Sequence, residues 1–359
     1  MMTKDELLAI KTEEPDMSVY DLAKKSFDSL AKPIDGFGYM EDIICRIASV
    51  RGRDCDISKK ALIVMCADNG VVEEGVTQTD QAVTAEVAAL LGQGKSTVGV
   101  MCSGCGIKII PVDIGIDTDD TIPGVIDKRI ARGTKNITKT KAMTEEECLK
   151  AIGAGIDIAK ECAQNGIGMI ATGEMGIGNT TTSTALFCAL TGRNATGVAG
   201  RGAGLSDAGL TKKINAIEDA LLLHGLGVMT PTPSKTFEAL CAVGGLDIAA
   251  LAGVFIGCAL HKIPVVIDGA ISAVAALTAS YIVPGCEDYM IASHKGRERI
   301  TGEVLDILGL HAVIDADMAL GEGTGAVMLF PMIDMVMNVF INGTRFSDTD
   351  ILQYERFDG

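Results

Sequence analysis

Two glutamates stand among glycines, each ahead of a predicted helix. Glu322 lies in the run Gly321-Glu-Gly-Thr-Gly325, and Glu174 lies in the run Gly173-Glu-Met-Gly-Ile-Gly-Asn179. A carboxylate near a helix N-terminus stays ionised, and an ionised, glycine-flanked Glu322 could act as a general base. The alternative is that Glu322 is a first-turn residue that only complements the helix dipole.

Two glycine-rich loops have the composition of an anion site. The first, Thr172–Thr182, follows a predicted strand and opens a helix, so its backbone could approach a phosphate or carboxylate closely. It is not a dinucleotide fingerprint, because Thr181 stands where the third glycine is expected. The second, Gly200–Asp207, contains Arg201 and precedes Lys213, which add positive charge. The alternatives are a tight strand-to-helix turn for the first loop and a flexible loop with a helix cap for the second.

The remaining motifs are weaker evidence for a catalytic or binding function. Ala89–Ser96 nearly matches a phosphate-binding P-loop, but a P-loop follows a strand and residues 83–91 have a helical pattern, which disfavours an NTPase. Cys102-Ser-Gly-Cys105 is a single C-x-x-C without a second pair, and the four histidines lack ligand spacing. We therefore expect no metal and no cofactor. Among the histidines, His294 is the one at a predicted strand end, where it could touch a substrate.

Charge and composition exclude several classes of function. The 359 residues include 31 basic and 47 acidic side chains, a net charge of −16, with 4% aromatic residues and no Trp. These values argue against general binding to nucleic acid or to an anionic membrane. With no export signal and no apolar run of about 20 residues, we expect no membrane span and a cytoplasmic protein whose 11 cysteines are reduced core residues. Glycine, at 42 residues, is well above its usual share of about 7%.

Short apolar runs alternate with helical patterns, which predicts an α/β fold with a parallel sheet covered on both faces. In such sheets ligands bind at the carboxyl ends of the strands. The predicted strands are Ala61–Ala67, Ile107–Ile114, Gly168–Thr172, Pro264–Asp268 and Tyr289–Ser293, with His311–Asp315 as a sixth. The predicted helices lie within the first 45 residues (one capped at Ser18), in 80–105 (two), from a Thr144–Glu147 capping box, and at 180–191, 206–224, 234–243, 246–261 and 325–341. Residues 117–142 are predicted to form a long loop.

Taken in order, these segments resemble one family, the nicotinate-nucleotide–dimethylbenzimidazole phosphoribosyltransferases of cobamide lower-ligand activation. The resemblance runs from about residue 20 to 345. It rests on Ala67–Gly75, Gly173–Thr181, Gly200–Gly204, Gly244–Ala249, Val265–Gly269, Ser293–Lys295 and Leu320–Ala326.

The resemblance implies a fold, a reaction and an assembly. It implies a large Rossmann-like domain over residues 51–339 and a small helical domain built from residues 1–50 and 340–359, in a dimer. It implies transfer of phosphoribose from nicotinate mononucleotide to a base, giving an α-ribosyl phosphate and free nicotinate. The alternatives are a subunit that supports a catalytic paralogue in a mixed dimer and, less favoured, a P-loop NTPase.

By position, the resemblance makes Glu322 the general base and Glu174 a second active-site carboxylate that stabilises the developing cation or assists the base. The remaining substrate-binding residues that it implies are Gly176, Gly178, Asn179, Arg201, Gly202, Gly204, Lys213, Asp268, Ser293, Gly321 and Gly323. Among these, Asp268 would hold a ribose hydroxyl and Ser293 would contact the ribose or nicotinate side. The phosphate would be held by Gly176, Gly178, Gly202, Gly204 and Lys213.

The base pocket departs from the family pattern. Members commonly carry an aromatic-Pro pair and then a Gln after the segment that ends here at Thr77, whereas residues 78–87 contain no aromatic residue and no proline. The candidate pocket residues are Gln78, Gln81, Glu86 and Leu320. The acceptor therefore stays open among benzimidazoles, purines and phenols.

Overall fold

The computed structural model of the protein describes residues 2–52, 55–227 and 230–356. Within these ranges, six parallel strands form one sheet in the order β3-β2-β1-β4-β5-β6. The strands are β1 (Lys60–Ala67), β2 (Lys108–Gly115), β3 (Ile126–Asp127), β4 (Met169–Met175), β5 (Val265–Ile267) and β6 (Met290–Ala292). The predicted α/β class is confirmed.

Helices connect the strands and cover both faces of the sheet. They are α1 (Lys4–Leu8), α2 (Met17–Asp28), α3 (Tyr39–Arg51), α4 (Ala82–Gly92), α5 (Thr97–Cys105), α6 (Glu145–Gln164), α7 (Asn179–Thr191), α8 (Ala195–Val198), α9 (Asp207–Leu223), α10 (Pro233–Val243), α11 (Leu246–Leu260), α12 (Ala270–Ile282), α13 (Arg299–Ile307) and α14 (Thr324–Asn342). Most of these match the predicted helices, whereas the sequence patterns do not predict α8 and α13.

The central strand β1 shows why this sequence forms a sheet with two covered faces. All eight of its residues are buried, as expected for a parallel strand between two helical layers. Ile63 and Met65 belong to the core cluster with α6 and α11, whereas Leu62 and Val64 belong to the cluster with α3 and α14. This alternation follows from the two-residue period of a strand.

Several glycines serve helix packing and not a ligand. A Cβ atom on Gly155 of α6 would lie 2.0 Å from the carbonyl oxygen of Ala250, and one on Gly253 of α11 would lie 2.0 Å from that of Ile152. These two helices therefore approach to backbone contact. The high glycine content is thus only partly explained by loops at strand ends.

Local capping agrees with prediction at one helix and not at another. The Thr144–Glu147 capping box is present at the start of α6. The cap of α2 is Asp16 and not Ser18, because the Asp16 carboxylate accepts the Ser18 N–H at 2.9 Å and the Val19 N–H at 3.3 Å. A carboxylate two or three residues ahead of free N–H groups satisfies more of them than a hydroxyl further into the helix.

The predicted sixth strand at His311–Asp315 is wrong. The segment is irregular and makes only an isolated bridge between Ile314 and His294. Its side chains are exposed or half-buried, and its pairing with the residues after β6 ends after this one bridge. The sixth strand is instead the two-residue β3 at the opposite edge, inside the predicted long loop.

The two ends of the chain pack against each other. The rings of Phe27 and Phe340 lie 4.8 Å apart, Leu30 forms an antiparallel bridge with Arg345, and Arg356 forms an ion pair with Asp28. The division into a terminal helical domain and a 51–339 domain stays a prediction.

One described helix, α14, is long and apolar enough to cross a membrane by length and composition alone. Half of its most apolar window is buried inside the protein, where Leu329, Phe330 and Ile333 join the core. The cysteines are all unpaired. Cys66, Cys188 and Cys258 are buried, as predicted, and burial raises the pKa of each thiol.

Candidate active site

A cleft of about 270 Å³ opens at the carboxyl ends of β4, β5 and β6, the edge at which parallel sheets bind ligands. Glu174 of β4, Asp268 after β5 and His294 after β6 line it, together with the segment 318–322 ahead of α14. The sequence-predicted residues that line the cleft are Gln78, Glu174, Gly176, Gly178, Asn179, Arg201, Gly202, Asp268, Leu320, Gly321 and Glu322.

Glu322 is held in a backbone conformation that few non-glycine residues adopt. Its φ is +60°, between Gly321 at +85° and Gly323 at +94°. The Glu322 carbonyl oxygen lies only 2.4 Å from where a Cβ atom would stand on Gly173. Residues kept in this region of φ/ψ space are held there by their surroundings and concentrate at functional sites.

Asp268 fixes the loop that carries Glu322. Its carboxylate accepts the N–H groups of Gly323 at 3.1 Å, Gly325 at 2.8 Å and Ala326 at 3.1 Å. It therefore caps the N-terminus of α14 from a distant strand, where a negative charge is favoured. The structure gives Asp268 this role in addition to its place on the cleft wall, and contact with a ribose hydroxyl stays a prediction.

The carboxylate of Glu322 is half-buried between the cleft and the start of α5. Burial raises the pKa of Glu322, while the Val98 N–H and the Ser96 hydroxyl lower it less. Its Oε2 atom is buried without a hydrogen-bond partner among the described residues. The carboxylate is therefore partly desolvated, and one of its oxygens accepts no hydrogen bond from the described residues.

The segment Ala89–Ser96, whose sequence nearly matches a P-loop, joins two helices. It spans the end of α4 and the turn to α5, and Ser96 caps α5 through the Gly99 N–H at 3.0 Å. It follows a helix, as predicted, and not a strand. Its contribution near the cleft is Ser96, the N-cap residue of α5, whose hydroxyl lies beside the Glu322 carboxylate.

Glu174 belongs to a buried chain of acidic groups joined by Asn179. The Asn179 amide donates a short hydrogen bond to Glu174 and another to Asp247 at 3.0 Å. Burial raises the pKa of Glu174 to about 8 and that of Asp247 to about 6, and the charges of Asp268 and Glu322 also raise that of Glu174. Glu174 therefore keeps its proton to a higher pH than an ordinary carboxyl group does.

The first glycine loop forms an uncapped helix N-terminus at the cleft. Gly178, with φ +95°, precedes α7, and no side chain caps this helix. Thr180 in its first turn lines the cleft. Free N–H groups and the helix dipole make this a place for an anion. Sequence reasoning selected the glycines but not Thr180, whose hydroxyl also lies against the second loop.

The second glycine loop lies beside the first. A Cβ atom on Gly202, where φ is +51°, would lie 3.0 Å from the Thr180 hydroxyl. Arg201 lines the cleft, but its guanidinium holds its own loop through the Leu205 carbonyl at 2.8 Å and the Asp207 carboxylate at 2.5 Å.

Lys213 braces the two loops from below and does not line the cleft. It is fully buried, and its Nζ donates to the Thr180 hydroxyl at 2.9 Å and to the Gly200 carbonyl at 3.1 Å. In this structure Lys213 reaches the cleft only through these two residues, and its contact with a phosphate stays a prediction.

Ser293, like Lys213, does not line the cleft. Its hydroxyl proton goes to the Ile267 carbonyl at 2.6 Å, so Ser293 Oγ accepts from His294 Nδ1–H at 2.9 Å. Because the strand turns the Ser293 side chain inward, His294 is the residue of this pair that faces the cleft.

Four other predicted residues lie away from the cleft wall. Gly204 accepts a short hydrogen bond from Gln78, and the Gly323 N–H is used by Asp268. Gln81 turns back to the Asn69 carbonyl at 3.4 Å, and Glu86 is exposed on α4. Of the four base-pocket candidates, only Gln78 and Leu320 line the cleft.

The apolar side chains that line the cleft include Val76, Met175, Met318 and Leu320. No Phe, Tyr or Trp of the described residues lines it. Within the same part of the chain, no group of three or more His, Cys, Asp or Glu side chains could hold a metal ion.

Comparisons with known proteins identify the family. The sequence model of the DBI_PRT family, described as a phosphoribosyltransferase, matches residues 12–351. The nicotinate-nucleotide–dimethylbenzimidazole phosphoribosyltransferase of Acetivibrio thermocellus is 40% identical over 337 residues, which cover 93% of this chain and 94% of that protein. The enzyme of the same name from Ruminiclostridium cellulolyticum is 39% identical over 345 residues, 96% of each chain.

A solved structure agrees with the sequence matches. The nicotinate-nucleotide–dimethylbenzimidazole phosphoribosyltransferase of Thermus thermophilus superposes with a TM-score of 0.85 at 32% identity, covering 93% of this chain and 98% of that one. The predicted resemblance is confirmed. The chain belongs to the family of nicotinate-nucleotide–dimethylbenzimidazole phosphoribosyltransferases.

Proposed function

We propose that this chain moves phosphoribose from nicotinate mononucleotide to a lower-ligand base or phenol, giving an α-ribosyl 5′-phosphate and nicotinate for cobamide biosynthesis. The observation that carries the proposal is the convergence of Glu322, Glu174 and two glycine loops on one cleft. A carboxylate base beside an anion-binding backbone is what this transfer requires.

The reaction needs a base more than an acid. The bond from the ribose carbon to the nicotinate ring nitrogen breaks, and its electron pair neutralises the cationic ring, so the leaving group needs no proton. The new bond forms from the acceptor nitrogen or oxygen to the same carbon. The acceptor proton passes to the Glu322 carboxylate, whose raised pKa favours receiving it.

Glu174 has a different role because its environment differs. Burial raises its pKa to about 8, whereas the cationic nicotinate ring of the donor favours its ionised form. When the donor binds, the proton leaves to solvent through the cleft, and the ionised carboxylate faces the positive charge that develops on the ribose. Two carboxylates whose pKa values are separated by their surroundings typically divide such roles.

The phosphate is placed at the two glycine loops. The uncapped start of α7 supplies backbone N–H groups at Gly178 and Thr180, and Gly202 supplies another beside them. Lys213 supports both loops from below. Local binding of this kind suits a chain whose net charge of −16 would repel an anion at long range.

In this proposal the acceptor contacts the apolar side chains that line the cleft, among them Val76, Met175, Met318 and Leu320. Such side chains exclude water but supply no aromatic stacking. A phenol is the hardest acceptor, since its pKa is about 10, so its proton leaves as the new bond forms.

A substrate panel tests the proposal. The purified protein is incubated with nicotinate mononucleotide and 5,6-dimethylbenzimidazole, benzimidazole, adenine, phenol or p-cresol, and nicotinate release and product mass are measured. We expect release with at least one acceptor and a product mass equal to acceptor plus phosphoribose. No release with any acceptor, but release after addition of a paralogous subunit, would favour the mixed-dimer alternative.

We also propose that the chain acts as a cytoplasmic dimer. Met328, Met335 and Ile341 on α14 are 43%, 63% and 62% exposed, which supplies apolar surface suited to a subunit interface. Sedimentation equilibrium tests this, with the mass of two chains expected and the mass of one chain contradicting it.

A further inference from the structure

Glu298 places a carboxylate on the second glycine loop, at the cleft. Its Oε1 atom accepts the Gly202 N–H at 3.2 Å, and its Oε2 atom lies 2.1 Å from where a Cβ atom would stand on Gly200. Any side chain at residue 200 would displace this carboxylate. Glu298 lines the cleft, and no cation of the described chain forms an ion pair with it.

A buried cation lies on the other side of the same loop. Lys213 Nζ holds the Gly200 carbonyl at 3.1 Å, so the loop separates its ammonium group from the Glu298 carboxylate. Burial lowers the pKa of Lys213 to about 8, and the charge of Glu298 acts in the opposite direction. A buried ammonium group is stabilised by a nearby anion, and Glu298 supplies that anion in the free protein.

The neighbouring groups also favour an anion at this point. Thr180, in the uncapped first turn of α7, lies against Gly202. Backbone N–H groups, a helix N-terminus and a buried lysine are the features that bind phosphate. The Glu298 carboxylate accepts one of these N–H groups, that of Gly202.

We propose that the Glu298 carboxylate fills the phosphate subsite of the free enzyme and is displaced by the phosphate of the nucleotide donor. The inference rests on the proposed function, since it takes the donor phosphate to bind at these loops. The exchange forms and breaks hydrogen bonds only. A phosphate dianion carries more charge and more acceptor oxygens than a carboxylate, so it displaces Glu298 where a monoanion does not.

The displacement of Glu298 affects the enzyme in two ways. It sets the affinity for the donor, because each binding event includes the displacement of a competing anion. It also moves the start of α13, because Glu298 immediately precedes Arg299 and is the N-cap residue of that helix.

Glu298→Gln tests the exchange, because the amide keeps the size and the acceptor oxygen and removes the charge. The dissociation constants of inorganic phosphate and of nicotinate mononucleotide are measured by calorimetry. We expect both to fall by roughly three- to tenfold. The matched control is Glu303→Gln on the same helix, which removes an exposed ion pair with Arg193 and should leave both constants unchanged.

The outcomes separate this inference from others. Weaker binding of the nucleotide with unchanged phosphate binding would overturn it and indicate that Glu298 contacts the ribose. Unchanged binding of both would also overturn it. Phosphate binding reports on the subsite alone, whereas nicotinate release by the wild-type protein reports on the proposed function, so failure of one is distinguished from failure of the other.

A measurement on the wild-type protein keeps the inference testable if the variant does not fold. Hydrogen–deuterium exchange is followed with and without inorganic phosphate. We expect phosphate to increase exchange at residues 297–301 and to decrease it at residues 178–182. Exchange at 297–301 that is unchanged or decreased by phosphate contradicts the displacement.

Discussion

The carboxylate of Glu174 rests on Gly321, the residue before Glu322: its Oε1 atom lies 2.8 Å from where a Cβ atom would stand. The reverse contact is made by the Glu322 carbonyl on Gly173, the residue before Glu174, at 2.4 Å from the corresponding position. Glu174 therefore contacts the glycine before Glu322 through its carboxylate, and Glu322 contacts the glycine before Glu174 through its carbonyl oxygen. The end of β4 and the start of α14 are thereby fixed together, and the two carboxyl groups are held in one cleft.

Gly321→Ala should damage catalysis more than folding. The new Cβ atom meets the Glu174 carboxylate and the φ of +85° is strained for alanine, a cost of about 1–2 kcal/mol. We expect kcat for nicotinate release to fall at least roughly tenfold. Gly153→Ala on α6 is the control, because nothing lies within 4 Å of its Cβ position. Equal kcat values for the two variants would contradict the contact.

Asp268→Asn should loosen the loop that carries Glu322. The amide keeps one acceptor oxygen, whereas the carboxylate accepts three N–H groups through its two oxygens. We expect a loss of about 1–3 kcal/mol in the free energy of unfolding, measured by urea denaturation, and a lower kcat. Asp219→Asn, an exposed change on α9, should alter neither. A variant that matched wild type in both measurements would remove Asp268 from this role.

Glu174 should make stability depend on pH. Its folded pKa of about 8 is above its ordinary value of 4.5, so its contribution to stability is fully present below about pH 4.5 and is lost as the pH rises through about 8. The melting temperature of Glu174→Gln relative to wild type should therefore increase from about pH 5 to about pH 8.5. A difference in melting temperature that stays constant across this pH range would contradict the raised pKa of Glu174.

The sequence was sufficient to predict the cleft because of how parallel sheets are built. Apolar runs ending in polar residues located β1, β2, β4, β5 and β6, and their carboxyl ends meet at one edge. Glu174 and Asp268, at the ends of β4 and β5, came together for that reason, whereas Glu322 follows no strand and is held at this edge through the bonds of Asp268 to the start of α14. The helix patterns and the capping box of α6 depend only on residues close together in sequence, so they could be predicted from the sequence.

Contacts between residues far apart in sequence could not be predicted from local patterns. Asp268 caps α14 across 55 to 58 residues of sequence, and Glu298 reaches a loop 96 residues away. Nothing local distinguishes Lys213, buried under a loop, from a lysine that faces a ligand. The direction of the Ser293 side chain, inward and not toward the cleft, depends on the register of β6 with β5.

The most direct test of the account is the turnover of Glu322→Gln with nicotinate mononucleotide and the best acceptor of the panel. The amide keeps the shape of the side chain but cannot take the acceptor proton. We predict that kcat falls by roughly 10²- to 10⁴-fold while the melting temperature and the dissociation constant of nicotinate mononucleotide stay close to those of wild type. A kcat within about threefold of wild type, well below the 10²-fold minimum expected for loss of a general base, would contradict the assignment of Glu322 as the base.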